Sequence, residues 1–131
     1  MALGYRKFRG IITLEVEGAL TTGAGKKHVR MPFAGTITGV TTAVGTAPTG
    51  ATLIVDVNKK SGAGAATTIF TTQANRPTIA VSTASVTAGE HAVRTFAAGD
   101  VLSIDVDQIG STVAGSDLVV AIAYDGVRNP N

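Results

Sequence analysis

Val101-Leu102-Ser103-Ile104-Asp105-Val106-Asp107 alternates apolar and polar side chains without a break. Successive side chains of an extended chain point to opposite sides, so Leu102, Ile104 and Val106 share one face and Ser103, Asp105 and Asp107 the other. The segment reads as a half-buried strand, and its period of two recurs along the chain. Leu53, Val55 and Val57 alternate within residues 52–59, and Ile12, Leu14 and Val16 within residues 8–17. Residues 28–33, 36–44, 67–70 and 78–81 read as shorter strands, with Pro32, which lacks an N–H, marking an edge or a strand end. Residues 118–123 form a continuous apolar run, which predicts burial on both faces, by neighbouring strands or by a subunit contact.

Turn chemistry separates these segments. Gly45-Thr46-Ala47-Pro48-Thr49-Gly50, Lys60-Ser61-Gly62-Ala63-Gly64 and Ala97-Ala98-Gly99-Asp100 supply preset and positive φ where the chain must reverse. No stretch of ten residues carries an apolar face at helical spacing. Short strands with turn signals about every 8–12 residues predict an all-β, antiparallel β-sandwich, jelly-roll-like, of about eight strands. Its expected core is Ile12, Leu14, Val16, Ile37, Leu53, Val55, Val57, Ile69, Leu102, Ile104, Val106, Val120 and Ile122. Residues 82–89 are weakly patterned and read as surface. Residues 1–10 precede the first clean alternation and read as an N-terminal arm, residues 11–126 as a single sandwich domain, and residues 127–131 as a tail.

Composition narrows the function classes. The chain has 131 residues, 44% hydrophobic but only 15% charged, so it is neither disordered nor highly solvated. The longest apolar run is far shorter than the roughly 20 residues of a spanning helix, and the sequence predicts no membrane association. With no cysteine, disulfides and thiolate metal sites are excluded. The start of the chain is basic but lacks an apolar stretch of signal-peptide length, so a product made and used without export is expected. The net charge of +2 is small for a nucleic-acid binder. Its distribution is uneven. Arg6, Lys7, Arg9, Lys26, Lys27 and Arg30 lie in the first 30 residues, while Asp100, Asp105, Asp107, Asp117 and Asp125 lie in the last third. Opposite-signed faces of this kind help copies or partners dock in register.

No catalytic set emerges. His28 and His91 are far apart, and no nucleophile elbow accompanies either. Asp105 and Asp107 share one strand face roughly 7 Å apart, a spacing open to a glycosidase or a Ca²⁺ site, but it also arises on the solvated side of any amphipathic strand. Asp56 and Asn58 repeat the pattern. Gly23-Ala24-Gly25-Lys26-Lys27 fails as a phosphate loop, because Leu20 stands where the first Gly belongs and Lys27 where Ser or Thr belongs. The expectation is a non-enzyme with no cofactor and no metal. Its candidate partner-binding residues are Tyr5, Arg6, Lys7, Phe8, Arg9, Lys26, Lys27 and Arg30. Tyr5 and Phe8 are read as aromatic anchors on the arm, and the cations as partners for acidic groups on a neighbour.

Beside this reading stands a resemblance. Pro48-Thr49-Gly50, Asp56-Val57-Asn58-Lys59, Ile69-Phe70-Thr71-Thr72, Arg76-Pro77-Thr78-Ile79, Ala98-Gly99-Asp100 and Asp107-Gln108-Ile109-Gly110-Ser111, in that order, resemble a β-sandwich module of tailed-phage virion proteins. The similarity spans roughly residues 35–118. Modules of this kind occur in tail fibres and other appendages, and small capsid decoration proteins look similar. The turn at residues 59–66 is longer than the module's. The resemblance implies a virion structural protein without catalytic residues. A chain that starts at Met1 and ends soon after the last strand further suggests a free-standing capsid decoration (cement) protein. Its expected partners are the major capsid protein and its own copies, as a homotrimer; the alternative is a tail or tail-fibre component that binds a host glycan.

Overall fold

The computed structural model describes residues 6–128. Ten strands form two antiparallel sheets: β1 (Arg6–Ala19), β2 (Gly23–Arg30), β3 (Ala34–Ala43), β4 (Leu53–Lys60), β5 (Thr67–Thr68), β6 (Thr78–Ile79), β7 (Ser85–Thr87), β8 (Thr95–Phe96), β9 (Val101–Gln108) and β10 (Ser116–Arg128). The first sheet runs β1-β10-β3-β7, with β8 also on β3. The second runs β2-β9-β4-β5, with β6 also on β4. The first strand thus pairs with the last and the second with the last but one, and the two sheets form an antiparallel β-sandwich. A 3-10 turn, Gln73–Asn75, lies in the connection between β5 and β6.

The inward faces build the core that the alternation predicts. Leu53, Val55 and Val57 of β4 meet Leu102, Ile104 and Val106 of β9, all buried, across from Val120 and Ile122 of β10. Each such side chain contributes roughly 1.5–3 kcal/mol on burial. Of the thirteen expected core residues, only Ile12 and Val16 stay half-buried, because β1 is an edge strand. Residues 118–123 do occupy a central strand, between β1 and β3. Leu118, Val120 and Ile122 are buried, while Val119, Ala121 and Ala123 on the outer face are half-buried.

Four expectations need correction. Residues 6–10 are not an arm: β1 begins at Arg6, and Phe8 pairs with Gly126 of β10. Phe8 faces inward, 4.8 Å between ring centroids from Phe33 and 6.2 Å from Tyr124. Glycines make room for these rings. A Cβ at Gly126 would run into the Phe8 ring, and one at Gly10 into the Tyr124 ring. The alternation Phe8, Gly10, Ile12 is therefore intact, with the missing side chain at Gly10 supplied by Tyr124. Second, Val127 and Arg128 close β10 rather than starting a tail. Third, β2 occupies Gly23–Arg30 instead of residues 28–33. The Gly-rich segment that precedes residue 28 is carried into the sheet by a bulge between Gly23 and Lys27, with Gly25 at φ +61°. Fourth, ten strands replace about eight. β8 is an added short strand, and β7 lies inside the stretch read as surface, where it pairs with β3 and packs Val86 against the core.

Candidate functional site

Two outer faces and the open sheet edges are available to a partner, and the side formed by β1 and β2 carries the longest edge strand. On that side, β1 and β2 are the edge strands of their sheets. The Phe8–Phe33 contact ties the start of β1 to the residue that leads into β3. The sequence-predicted basic residues divide here. Lys7 and Arg9 point outward from β1 and are exposed; Arg9 reaches Asp125 at only 3.8 Å, with 94% of its side chain exposed. Phe8 is no free anchor, since its ring is committed to the aromatic cluster. Lys26 is half-buried and donates to Thr21 Oγ1 at 2.7 Å. Lys27 and Arg30 are exposed on β2. Arg6 is the first residue of β1, and Tyr5 lies outside the described residues.

The outer face of the first sheet is built from β1, β10, β3 and β7. Register places Thr13 beside Ala121 and Thr41, and Glu15 beside Val119 and Ala43, with Ser85 and Thr87 of β7 continuing the face. Its middle is made of short, uncharged side chains, with charge at its rims in Arg9, Asp125 and Glu15. Ile11, 68% exposed, stands on it as the most exposed large apolar side chain. An open depression lined by Arg9, Gly10, Ile11, Thr38, Ala123, Tyr124 and Asp125 lies at the same end. Sequence reasoning does not assemble this face, because its strands lie far apart in the chain; the apolar run at residues 118–123, read as covered by strands or by a subunit contact, is the one local signal of it.

The outer face of the second sheet carries the carboxylates. Asp56 of β4 lies directly opposite Asp105 of β9. Like charges so placed repel, and the surrounding groups offset this. Asp56 Oδ1 accepts from Thr68 Oγ1 at 2.6 Å. Asp105 accepts from the Gly25 N–H and from Asn58 Nδ2, each at 2.8 Å. Asp107 pairs with Arg76 at 2.7 Å, while Arg76 Nε also donates to the Gln73 carbonyl. Burial raises the Asp56 pKa above 3.8, and the Asp107 charge adds to this against the opposing Thr68 hydrogen bond. Asp117 accepts from the Gly18 N–H, and Asp100 from the Ala97 N–H, at a bulge and a turn. These carboxylates are thus engaged in fixing strands and turns. Asp105 in particular braces β2 against β9 and is less solvated than its alternation implied.

The histidines do not converge. His28 is exposed on β2, whereas His91 is buried, with Nε2 2.8 Å from the Ile37 carbonyl and its ring edge-on to Phe70. Among the described residues, no group of three or more His, Asp or Glu side chains is placed to hold a metal ion, and no helix is long and apolar enough to cross a membrane.

No protein-family model matches the chain, and no curated protein matches it. Among solved structures, a chain described as the cyanophage Pam1 capsid asymmetric unit is similar over 95% of this chain and 88% of its own length. Its TM-score is 0.40 and its sequence identity 15%.

Proposed function

We propose that this chain is a structural protein of a tailed-phage virion, a capsid decoration protein that seats on the outer shell as a small oligomer. The observation that carries the proposal is the outer face of the first sheet. A field of short Thr, Ala, Ser and Val side chains with Ile11 standing on it suits docking against another protein, since short side chains lose little rotamer entropy on contact. The carboxylate pattern fits the same role, because it braces strands instead of converging on a pocket. The ordered segments within residues 35–118 that resemble virion sandwich modules point in the same direction.

The partner in this reading is the major capsid protein. Neither nucleic acid nor a membrane is involved, no cofactor is needed, and no reaction is catalysed. Reconstitution tests it. Shells assembled without this chain are mixed with the purified protein and sedimented. Saturable binding to the shell, weakened by Ile11→Asp and by Ala121→Glu, is the expected result. Binding only to tails, or to host glycan, favours the appendage alternative instead.

A further inference from the structure

Among the described residues, β1 pairs only with β10, so one side of this long strand presents open N–H and C=O groups. Its outward side chains are, in order, Lys7, Arg9, Ile11, Thr13, Glu15 and Glu17, all exposed. Two cations, a neutral centre and two anions form a series that is complementary to its own reverse. We propose that β1 pairs antiparallel with β1 of a second copy, about a two-fold axis at Ile12, joining the first sheets of two copies into one continuous sheet.

The register follows from geometry and charge. Antiparallel pairing sets same-face residues opposite one another, so the axis passes through a residue. With the axis at Ile12, Arg9 faces Glu15 of the second copy and Lys7 faces Glu17, and symmetry doubles both pairs. An axis at Ile11 would set Arg9 against Thr13. An axis at Thr13 would set Ile11 against Glu15. The Ile12 register also covers exposed apolar surface. Ile11 gains its symmetry mate as a diagonal neighbour, and the half-buried Ile12 meets its own copy on the inward face.

The edge strand of the second sheet on the same side shows the contrast. β2 carries Lys26, Lys27 and Arg30 and a bulge between Gly23 and Lys27. One sign of charge and an irregular backbone repel a second copy, as protected edges do. β1 is regular from Arg6 to Val16, with its own bulge only beyond Val16. Arg9 and Glu15 both lie within the regular part. The in-chain partner of Arg9, Asp125, holds it loosely at 3.8 Å and does not compete strongly. A two-fold contact gives a dimer in place of the trimer expected from sequence, and it stands whether or not the virion proposal holds.

The test is self-association of the full chain, followed by analytical ultracentrifugation. Wild type is expected to dimerise. Arg9→Glu and Glu15→Arg, each made singly, turn two attractive pairs of the dimer repulsive and should weaken association by about tenfold or more. The double variant R9E/E15R restores the complementarity with its signs exchanged and should return to near wild-type association. Both positions are exposed, and β-rich circular dichroism of each variant confirms folding. In the otherwise cysteine-free chain, Ile12→Cys should also crosslink to its own copy, because directly opposed strand residues lie within disulfide reach. A chain monomeric at millimolar concentration, or a dimer indifferent to both single reversals, or a double variant as weak as the singles, overturns the proposal.

Discussion

Replacing Phe8 by Ala separates a strand residue from an arm residue. Truncating a fully buried Phe costs about 3–5 kcal/mol. Phe8 is half-buried, so about half of that applies, roughly 2 kcal/mol. Its edge contacts with Phe33 and Tyr124 add about 0.5–1 kcal/mol. The gap left over Gly126 cannot collapse easily, since the glycine has no side chain to fill it. The expected loss is therefore about 2–3 kcal/mol. Urea unfolding followed by circular dichroism reads it directly. At a slope of about 1.5–2 kcal/mol per molar, the midpoint should fall by roughly 1–2 M with the slope unchanged. Lys7→Ala, one residue away on the outer face, is the internal control and should stay within about 0.5 kcal/mol of wild type. Equal midpoints for the two variants would refute the inward placement of Phe8. By the same reasoning, deleting residues 1–9 should destabilise the domain instead of merely removing a binding arm.

Thr42 is 2% exposed, and its Oγ1 has no hydrogen-bond partner among the described residues. Thr42→Val keeps its shape and removes a buried polar group, so stability should rise by about 1 kcal/mol in the same urea assay; a loss would place an unseen partner there. Burial raises the native pKa of Asp56 above 3.8, so the folded state holds this proton more tightly than the unfolded chain does. Stability contributed by that proton is lost as pH rises from 3.8 through the native value, and Asp56→Asn should remove this decline. Urea midpoints near pH 4 and pH 7 check it, and a variant that declines as wild type does contradicts it. Asp105→Asn combined with Asp107→Asn weakens the braces to Gly25, Asn58 and Arg76 and should cost about 1–2 kcal/mol. Reducing-sugar assays should detect no glycan hydrolysis by either protein; hydrolysis by wild type that the double variant loses would make these carboxylates catalytic.

The strongest strands were legible because both their faces were written in a period of two. β4 and β9 needed nothing beyond Leu53, Val55 and Val57 and Leu102, Ile104 and Val106. The start of β1 was not legible, because Gly10 interrupts the apolar series and its place is taken by Tyr124, 114 positions along. β2 was displaced because its glycines imitate a turn, and only pairing with β9 reveals the bulge. Short strands such as β7 have too few residues for a period to register. The candidate surfaces were less legible still. That Asp56 lies opposite Asp105, or that Thr13, Ala121 and Thr41 lie side by side, depends on register between distant strands. No local pattern encodes that register. The basic residues are legible, but of the two aromatic anchors read beside them Phe8 packs its ring against Phe33 and Tyr124, and Tyr5 lies outside the described residues.

The central claim, a decoration protein of the capsid shell, is tested most directly by the copy number of this chain in purified virions, measured by quantitative mass spectrometry against the major capsid protein. A decoration protein is expected in hundreds of copies per particle, at a fixed ratio to the shell subunit. A handful of copies, at the stoichiometry of a tail, would contradict it.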